Sequence, residues 1–421
     1  MIIHQPETFL KDGNFIIWSR IELERPRENF PKYLWYKIPE KYGSFISTQS
    51  DAFLLPGLLA GMHFEEDIEV RGNISPRLAY ALDEYQFVLH FRMPNEVQPV
   101  TINYSKLLPG NHKPTAVGTT ISGGVDSFFT LYKHLPPNQP IAAYRISHGL
   151  FIMGFDIRFQ VQDRYEQLFI QYAKALQEIG VELIRLETNL ISVIVPRMIF
   201  PHFYGPVLAG SAHLFGGLFR RFYIASSKDY SQIKIRTSSS DPLSDPLLSS
   251  DTLDIIHHGA THKRVDKVKE ISDWDLVQKN LRVCFRGDSD EPTLNCSWCE
   301  KCTRTMTPIY ALGKMEQFST FKKPFRSNRD GLRLARKFNP RQGYVPEFFP
   351  FVREHKPDFL PWLFAGVGLG YIRYWSIQLI PGIARKWLQR FGYFIDPLDS
   401  KYAFEDRATV ALIQSKDNST G

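Results

Sequence analysis

Cysteine is almost missing from this chain: there are four in 421 residues, all between positions 284 and 302. A disulfide-stapled framework is thereby excluded, because no cysteine elsewhere can bridge distant parts of the chain. Long apolar runs are missing too. The most apolar window, Phe359 to Ile372, contains Pro361 and is bounded by Asp358 and Arg373, which is short for a bilayer span. No apolar stretch of the signal-peptide kind follows Met1, where Met-Ile-Ile-His-Gln-Pro-Glu stands, so a cytoplasmic location is expected. No internal repeat is found, and no G-x-x-x-x-G-K-[ST] occurs, which excludes a Walker-type phosphate loop. A formal charge of +7 permits contact with nucleic acid or an anionic substrate without requiring either.

What is present is concentrated in residues 116–127, Ala-Val-Gly-Thr-Thr-Ile-Ser-Gly-Gly-Val-Asp-Ser. Ala116 to Ile121 are small or β-branched apart from Gly118, which suits an interior strand of a parallel sheet. Ser122-Gly123-Gly124 then turns tightly, where a larger side chain would block an approaching ligand. From Val125 the pattern is helical, with Phe128, Phe129, Leu131 and Tyr132 ahead of Pro136-Pro137. A strand, a glycine turn and a helix place backbone N–H groups and the hydroxyls of Ser122 and Ser127 around one spot. Helix dipole and donors favour a phosphate there. The plain alternative is a strand–turn–helix with a glycine pair and no ligand.

The cysteines form the second signal. Cys296, Cys299 and Cys302 make a C-x-x-C-x-x-C run, and Cys284 precedes it by a loop carrying Gly287, Asp288, Asp290 and Pro292. Four thiolates gathered by a loop and a tight knuckle suit tetrahedral zinc. A disulfide pair and an iron–sulfur cluster are the competing readings.

The loop resembles, residue for residue, the Ser-Gly-Gly-x-Asp-Ser signature of the PP-loop ATP pyrophosphatases. Loop and cysteines, in this order and separation, resemble one branch of that family, the 7-cyano-7-deazaguanine synthases and their relatives. The resemblance implies an ATP site whose loop holds the pyrophosphate portion while a substrate oxygen attacks the α-phosphate, with Mg²⁺ accompanying the phosphates. It implies ATP binding by Ser122, Gly123, Gly124, Val125, Asp126 and Ser127, with Asp126 and Ser127 as catalytic candidates. Gly154, Phe155 and Asp156, ending the second strand, would lie beside adenine and ribose, although Asp156 could equally cap the next helix. One basic residue near the phosphates is expected from Arg264, Lys267 and Lys269, charges that otherwise make a solvated face. Cys284, Cys296, Cys299 and Cys302 are the implied zinc ligands. The implied reaction is adenylation of a carboxylate or amide oxygen, followed by displacement of AMP by ammonia or an amine. No cysteine outside the metal set is left to carry a persulfide, which points away from sulfur transfer. A tRNA- or protein-modifying enzyme and a non-catalytic adenine-nucleotide-binding module are the alternatives.

Three regions are expected. Residues 1–112 read as a small α+β module, with strands over Asn14–Ile21, Tyr33–Ile38, Ile68–Gly72 and Phe87–Arg92 and helices over Ala52–Gly61 and Pro76–Glu84. Residues 113–315 alternate strand and helix as a doubly wound parallel sheet with a zinc knuckle, including a helix over Pro206–Phe219. Ser238 to Asp251, with Asp241-Pro242-Leu243 and Asp245-Pro246-Leu247, reads as a loop, either solvated or a lid. His257, His258 and His262 read as loop or surface histidines, since four cysteines already complete a tetrahedral site.

Residues 316–421 read as a basic, mostly helical extension beyond the resemblance. Within 322–341, Lys322, Lys323, Arg326, Arg329, Arg333, Arg336, Lys337 and Arg341 are interleaved with Phe325 and Phe338. Such a mixture suits RNA contact or a basic face covering its own protein. Ile380 to Phe394 is amphipathic, fit to dock on the core or on a membrane surface. The long flanks depart from the single small domain of a 7-cyano-7-deazaguanine synthase, so the expected substrate is something other than the usual 7-deazapurine acid.

Overall fold

The computed structural model describes residues 1–28, 30–157, 159–193, 204–232, 239–284, 294–336, 344–379 and 406–420. The first part of the chain forms β1 (Ile2–Ile3), β2 (Glu7–Lys11), β3 (Asn14–Glu22), β4 (Tyr33–Pro39), α1 (Asp51–Phe64), β5 (Ile68–Ile74), α2 (Pro76–Arg92) and β6 (Ile102–Leu107). The middle forms β7 (Ala116–Thr120), α3 (Val125–Lys133), β8 (His148–Met153), α4 (Gln162–Gln177), β9 (Glu182–Thr188), α5 (Tyr204–His213), β10 (Phe219–Ala225) and β11 (Asp254–His258). Five helices follow it: α6 (Arg264–Ile271), α7 (Asp275–Asn280), α8 (Glu300–Ala311), α9 (Val345–His355) and α10 (Leu360–Gln378). The last element is α11 (Arg407–Thr420).

Among the described residues eleven strands join one mixed sheet in the order β11-β10-β7-β8-β9-β4-β3-β1-β5-β6, with β2 paired to β3. From β11 to β9 every neighbouring pair is parallel. β8 shows why. Leu150 and Ile152 face one layer of core while Phe151 and Met153 face the other, so the strand needs cover on both sides. The second layer comes from α3, α4, α6, α7 and α8, the first from α1, α2 and α5. Successive strands step one way from β7 to β9, and the chain then returns to the far side of β7 to lay down β10 and β11. In open α/β sheets such a reversal is where ligands are taken, here the carboxyl ends of β7 and β10.

The sheet does not stop at the boundary expected near residue 112. β4 pairs antiparallel with β9 through Tyr36–Thr188 and Lys37–Glu187, and one apolar core takes residues from both sides of that position. Phe87–Arg92, expected as a strand, is the last part of α2. Leu78, Leu82, Tyr85 and Leu89 line its buried side at helical spacing, and this face outweighs the local β preference of the run. The helix expected over Pro206–Phe219 ends at His213, because Phe219 already belongs to β10.

Residues 239–251 are neither solvated nor a free lid. Asp241 pairs with Arg92, and Asp245 accepts from the His257 Nδ1 position at 2.7 Å, with both acids buried. His257 and His258 are correspondingly strand residues of β11, not surface histidines; His258 meets Thr130 Oγ1 at 3.1 Å and stacks on Phe129. Among the described residues of 316–421, α9, α10 and α11 are helical, and α11 returns to the sheet. Its Ile413 is buried against Ile16, Trp18, Tyr33 and Trp35, and Tyr33 donates to Asp417 at 2.8 Å. Ser238, the Gly287–Pro292 loop, Lys337, Phe338, Arg341 and Ile380–Phe394 lie outside the described residues.

Candidate functional site

The Ser122–Ser127 loop leaves the carboxyl end of β7 where the strand order reverses and is braced from within. Ser127 Oγ donates to Thr120 O at 2.9 Å and accepts from Ser122 N at 3.2 Å; Ser122 Oγ accepts from Gly124 N at 3.3 Å. The two serines expected at the ligand thus first shape the turn. Gly123 has φ +79°, and a Cβ there would lie 2.1 Å from Tyr172 Oη, so the fold itself demands glycine. Gly124 is different. Its φ of −80° suits any residue, and a Cβ would approach only Ser122 Oγ at 3.3 Å and Arg282 O at 3.8 Å. Glycine at 124 leaves open space directly in front of α3. No side chain caps that helix, so its first-turn N–H groups remain for another acceptor.

Asp126 is held by two cations. Arg264 Nη1 donates to Oδ2 at 2.6 Å and Lys267 Nζ to Oδ1 at 3.1 Å, while Lys267 also donates to Ser226 O at 2.6 Å. Burial alone would raise the Asp126 carboxyl, but Arg264 and Lys267 outweigh it and hold the group at about 2. Two of the three basic candidates therefore reach the loop, through Asp126. Lys269 turns outward, half exposed, 3.9 Å from Glu354.

The second-strand candidates divide. Gly154 has φ +98°, and a Cβ would collide with Thr188 O at 1.8 Å, so its role is strand-end packing. Phe155 is buried in the first core layer. Asp156 does not cap α4, whose N-cap is Val161; its charge acts on Lys301 and Tyr204.

The four cysteines converge. Their sulfurs all lie within 4.8 Å of one another, with 3.4 Å for Cys299–Cys302, 3.8 Å for Cys299–Cys284 and 3.9 Å for Cys296–Cys302. Four sulfurs about 2.3 Å from one ion would stand roughly 3.8 Å apart, whereas a disulfide needs about 2.05 Å. The spacing is compatible with one tetrahedral zinc ion. Trp298 N and Cys299 N point at Cys296 Sγ at 3.4 Å, and Cys302 N points at Cys299 Sγ, which caps α8. Such N–H···S contacts stabilise thiolates and orient them.

The knuckle is tied to the loop. Arg282, two residues before Cys284, donates its backbone N–H to Gly123 O at 2.8 Å and Nη1 to Ser122 O at 3.4 Å. On the other side α8 starts at the knuckle and carries Glu300, Lys301 and Arg304 toward Asp126, Asp156 and Arg264. Burial lowers the Lys301 ammonium to about 8; Asp156 opposes the shift, and Arg264 and Arg282 add to it.

Among the described residues, several buried polar atoms near these groups have no hydrogen-bond partner: Arg264 Nε, Arg304 Nε, Asp229 Oδ2, Glu300 Oε1 and Glu347 Oε2. Burial raises the Glu347 carboxyl; a hydrogen bond from Gln232 and the charge of Arg304 oppose this, and Asp229 adds to it. Buried orphan atoms are rare in a finished interior; Arg264 binds Asp126 directly and the Asp126 charge acts on Arg304. Sequence reading missed Arg282, Lys301, Arg304, Asp229 and Glu347. Lys301 and Arg304 could have been found, since a helix opening at Cys299 sets Glu300 and Arg304 one turn apart on one face. Nothing local marks Glu347.

No family model matches the chain, and no curated protein or solved structure matches it.

Proposed function

We propose that the chain is an ATP-dependent adenylating enzyme of the PP-loop kind, closest to the 7-cyano-7-deazaguanine synthase branch, releasing AMP and pyrophosphate. One observation carries this reading: an uncapped helix N-terminus and the open face of Gly124 meet Arg264, Lys267, Arg282, Lys301 and Arg304 where the strand order reverses. Phosphate oxygens would accept from the α3 N–H groups, while the arginines and lysines stabilise charge on the departing pyrophosphate. Asp126 serves to hold Arg264 and Lys267 in place. Where Mg²⁺ accompanies the phosphates, Asp229 Oδ2, Glu300 Oε1 and Glu347 Oε2 are the carboxylate oxygens that could hold it, and the ion would neutralise phosphate charge. Zinc at Cys284, Cys296, Cys299 and Cys302 has a structural part, fixing α8 and Arg282 against the loop.

With the pyrophosphate portion held as leaving group, the α-phosphate is open to a substrate oxygen, and no Walker lysine favours γ-transfer. The acceptor is a carboxylate or amide, and ammonia or an amine displaces AMP. RNA contact through 322–341 is the weaker part of this reading. Arg333 is spent on Ser297 O at 2.6 Å and Lys323 O at 2.9 Å, and stacks on Trp298. The test is a screen of carboxylate-bearing metabolites and bulk tRNA with ATP and Mg²⁺. Formation of AMP with pyrophosphate is expected; ADP with phosphate would assign the loop a different reaction.

A further inference from the structure

Helix α10 packs one face on the protein: Leu363 and Val367 are buried there, and Gly366 sits so close to the 3-10 segment Asn328–Arg336 that a Cβ would lie 2.1 Å from Gly331 O. Its other face also carries large apolar residues, with Phe364, Leu369, Tyr371, Ile372, Trp375 and Leu379 exposed, Ile372 to 68% and Leu379, just past the helix end, to 85%. No charged side chain interrupts that face. Arg373, the one charged residue of α10, turns inward and donates Nε to Ala335 O at 2.9 Å. Scattered exposed apolar residues are ordinary, but five on one helix and a sixth just past its end, with no charge among them, are not.

The rim has one dominant sign. Arg329 and Arg336 are exposed on the 3-10 segment packed against α10, and Lys322, Lys323 and Arg326 are exposed just before that segment; the Arg329 guanidinium stands 5.7 Å from the Trp362 ring at the start of the helix, where Asp358 is occupied by Asn328 Nδ2 at 2.8 Å. Asp330, within the same stretch, is occupied by the backbone N–H groups of Arg326 and Ser327 at 2.8 and 3.0 Å. An uncharged face bearing Trp, Tyr, Phe, Ile and Leu, fringed by lysine and arginine, is complementary to one kind of surface. Apolar side chains enter the acyl boundary, Trp and Tyr sit at headgroup level, and the cations meet anionic headgroups. No helix among the described residues is long and apolar enough to cross a membrane, so the contact is peripheral. We infer that α10 docks the protein on an anionic membrane surface. This is independent of the nucleotide reading.

Vesicle co-sedimentation tests it, with phosphatidylcholine alone and with phosphatidylcholine containing phosphatidylglycerol. The full chain should sediment with the anionic vesicles only, and less so as salt rises. Ile372→Asp with Trp375→Asp should abolish sedimentation while leaving the thermal unfolding curve unchanged, since both side chains are exposed. Failure of the wild-type chain to sediment with anionic vesicles, or equal sedimentation of the double variant, overturns the inference. So does a wild-type dimer in light scattering that the double variant converts to monomer, which would assign the face to a second copy. Loss of tRNA binding in the double variant, without vesicle binding by the wild type, would assign it to RNA.

Discussion

Asp126 is where sequence and structure assign different work to the same residue. The sequence marks it as a catalytic carboxylate; the fold makes it the anchor of Arg264 and of Lys267, whose side chain is 1% exposed. Asp126→Ala would leave Lys267 buried without its carboxylate, at a cost of about 3–5 kcal/mol, so loss of activity in that variant would not isolate chemistry. Its depressed carboxyl contributes stability that is complete above the unfolded value near 3.8 and is lost as pH falls toward about 2. The contribution is about 2 kcal/mol. His258 acts earlier on the pH scale. Burial first, then the charges of His134 and Lys267, lower it from 6.5 to about 3, so the fold favours the neutral ring and loses stability as pH drops below 6.5 toward 3. Urea titrations across pH should therefore show weakening that begins near pH 6.5 and is reduced in His258→Gln. A profile flat down to pH 4 would contradict this placement of the ring.

Among elements, the loop and knuckle were legible because their chemistry is local. Ser122 to Ser127 and the C-x-x-C-x-x-C run carry their geometry in consecutive residues. The strand at Phe87–Arg92 was misread for the opposite reason: its helical state is set by burial of Leu82, Tyr85 and Leu89 against residues far along the chain. Asp229 and Glu347 come from segments more than a hundred residues apart and carry no joint signal. The knuckle yields a prediction at this scale. Metal analysis of anaerobically purified protein should find one zinc per chain, and stripping it should weaken ATP binding, because Arg282, Lys301 and Arg304 lose their anchor. Iron with acid-labile sulfide would overturn the zinc assignment.

For the whole molecule, the sequence showed where composition changes but not that strands on both sides of residue 112 share a sheet. Pairing of β4 with β9 is a long-range choice that no local pattern announces. The region before residue 112 should accordingly fail to fold as an isolated fragment, and circular dichroism of residues 1–112 would check it. α11 packs on β3 and β4 in the middle of the sheet: Ile413→Ala should destabilise the full chain by about 2–5 kcal/mol, readable as a shift in denaturation midpoint. A change within experimental error would place α11 off the sheet. The central claim, that the reversal point at β7 and β10 takes the phosphates of ATP, is tested most directly by calorimetric titration of the full chain with a non-hydrolysable ATP analogue and Mg²⁺. Wild type and Gly124→Val should be compared, because a Cβ at 124 meets only Ser122 Oγ at 3.3 Å and the Arg282 carbonyl at 3.8 Å and otherwise lies before α3. The wild-type chain should bind and the variant should lose that binding while unfolding at the same temperature. Unchanged affinity in Gly124→Val would show that the phosphates do not sit on this loop.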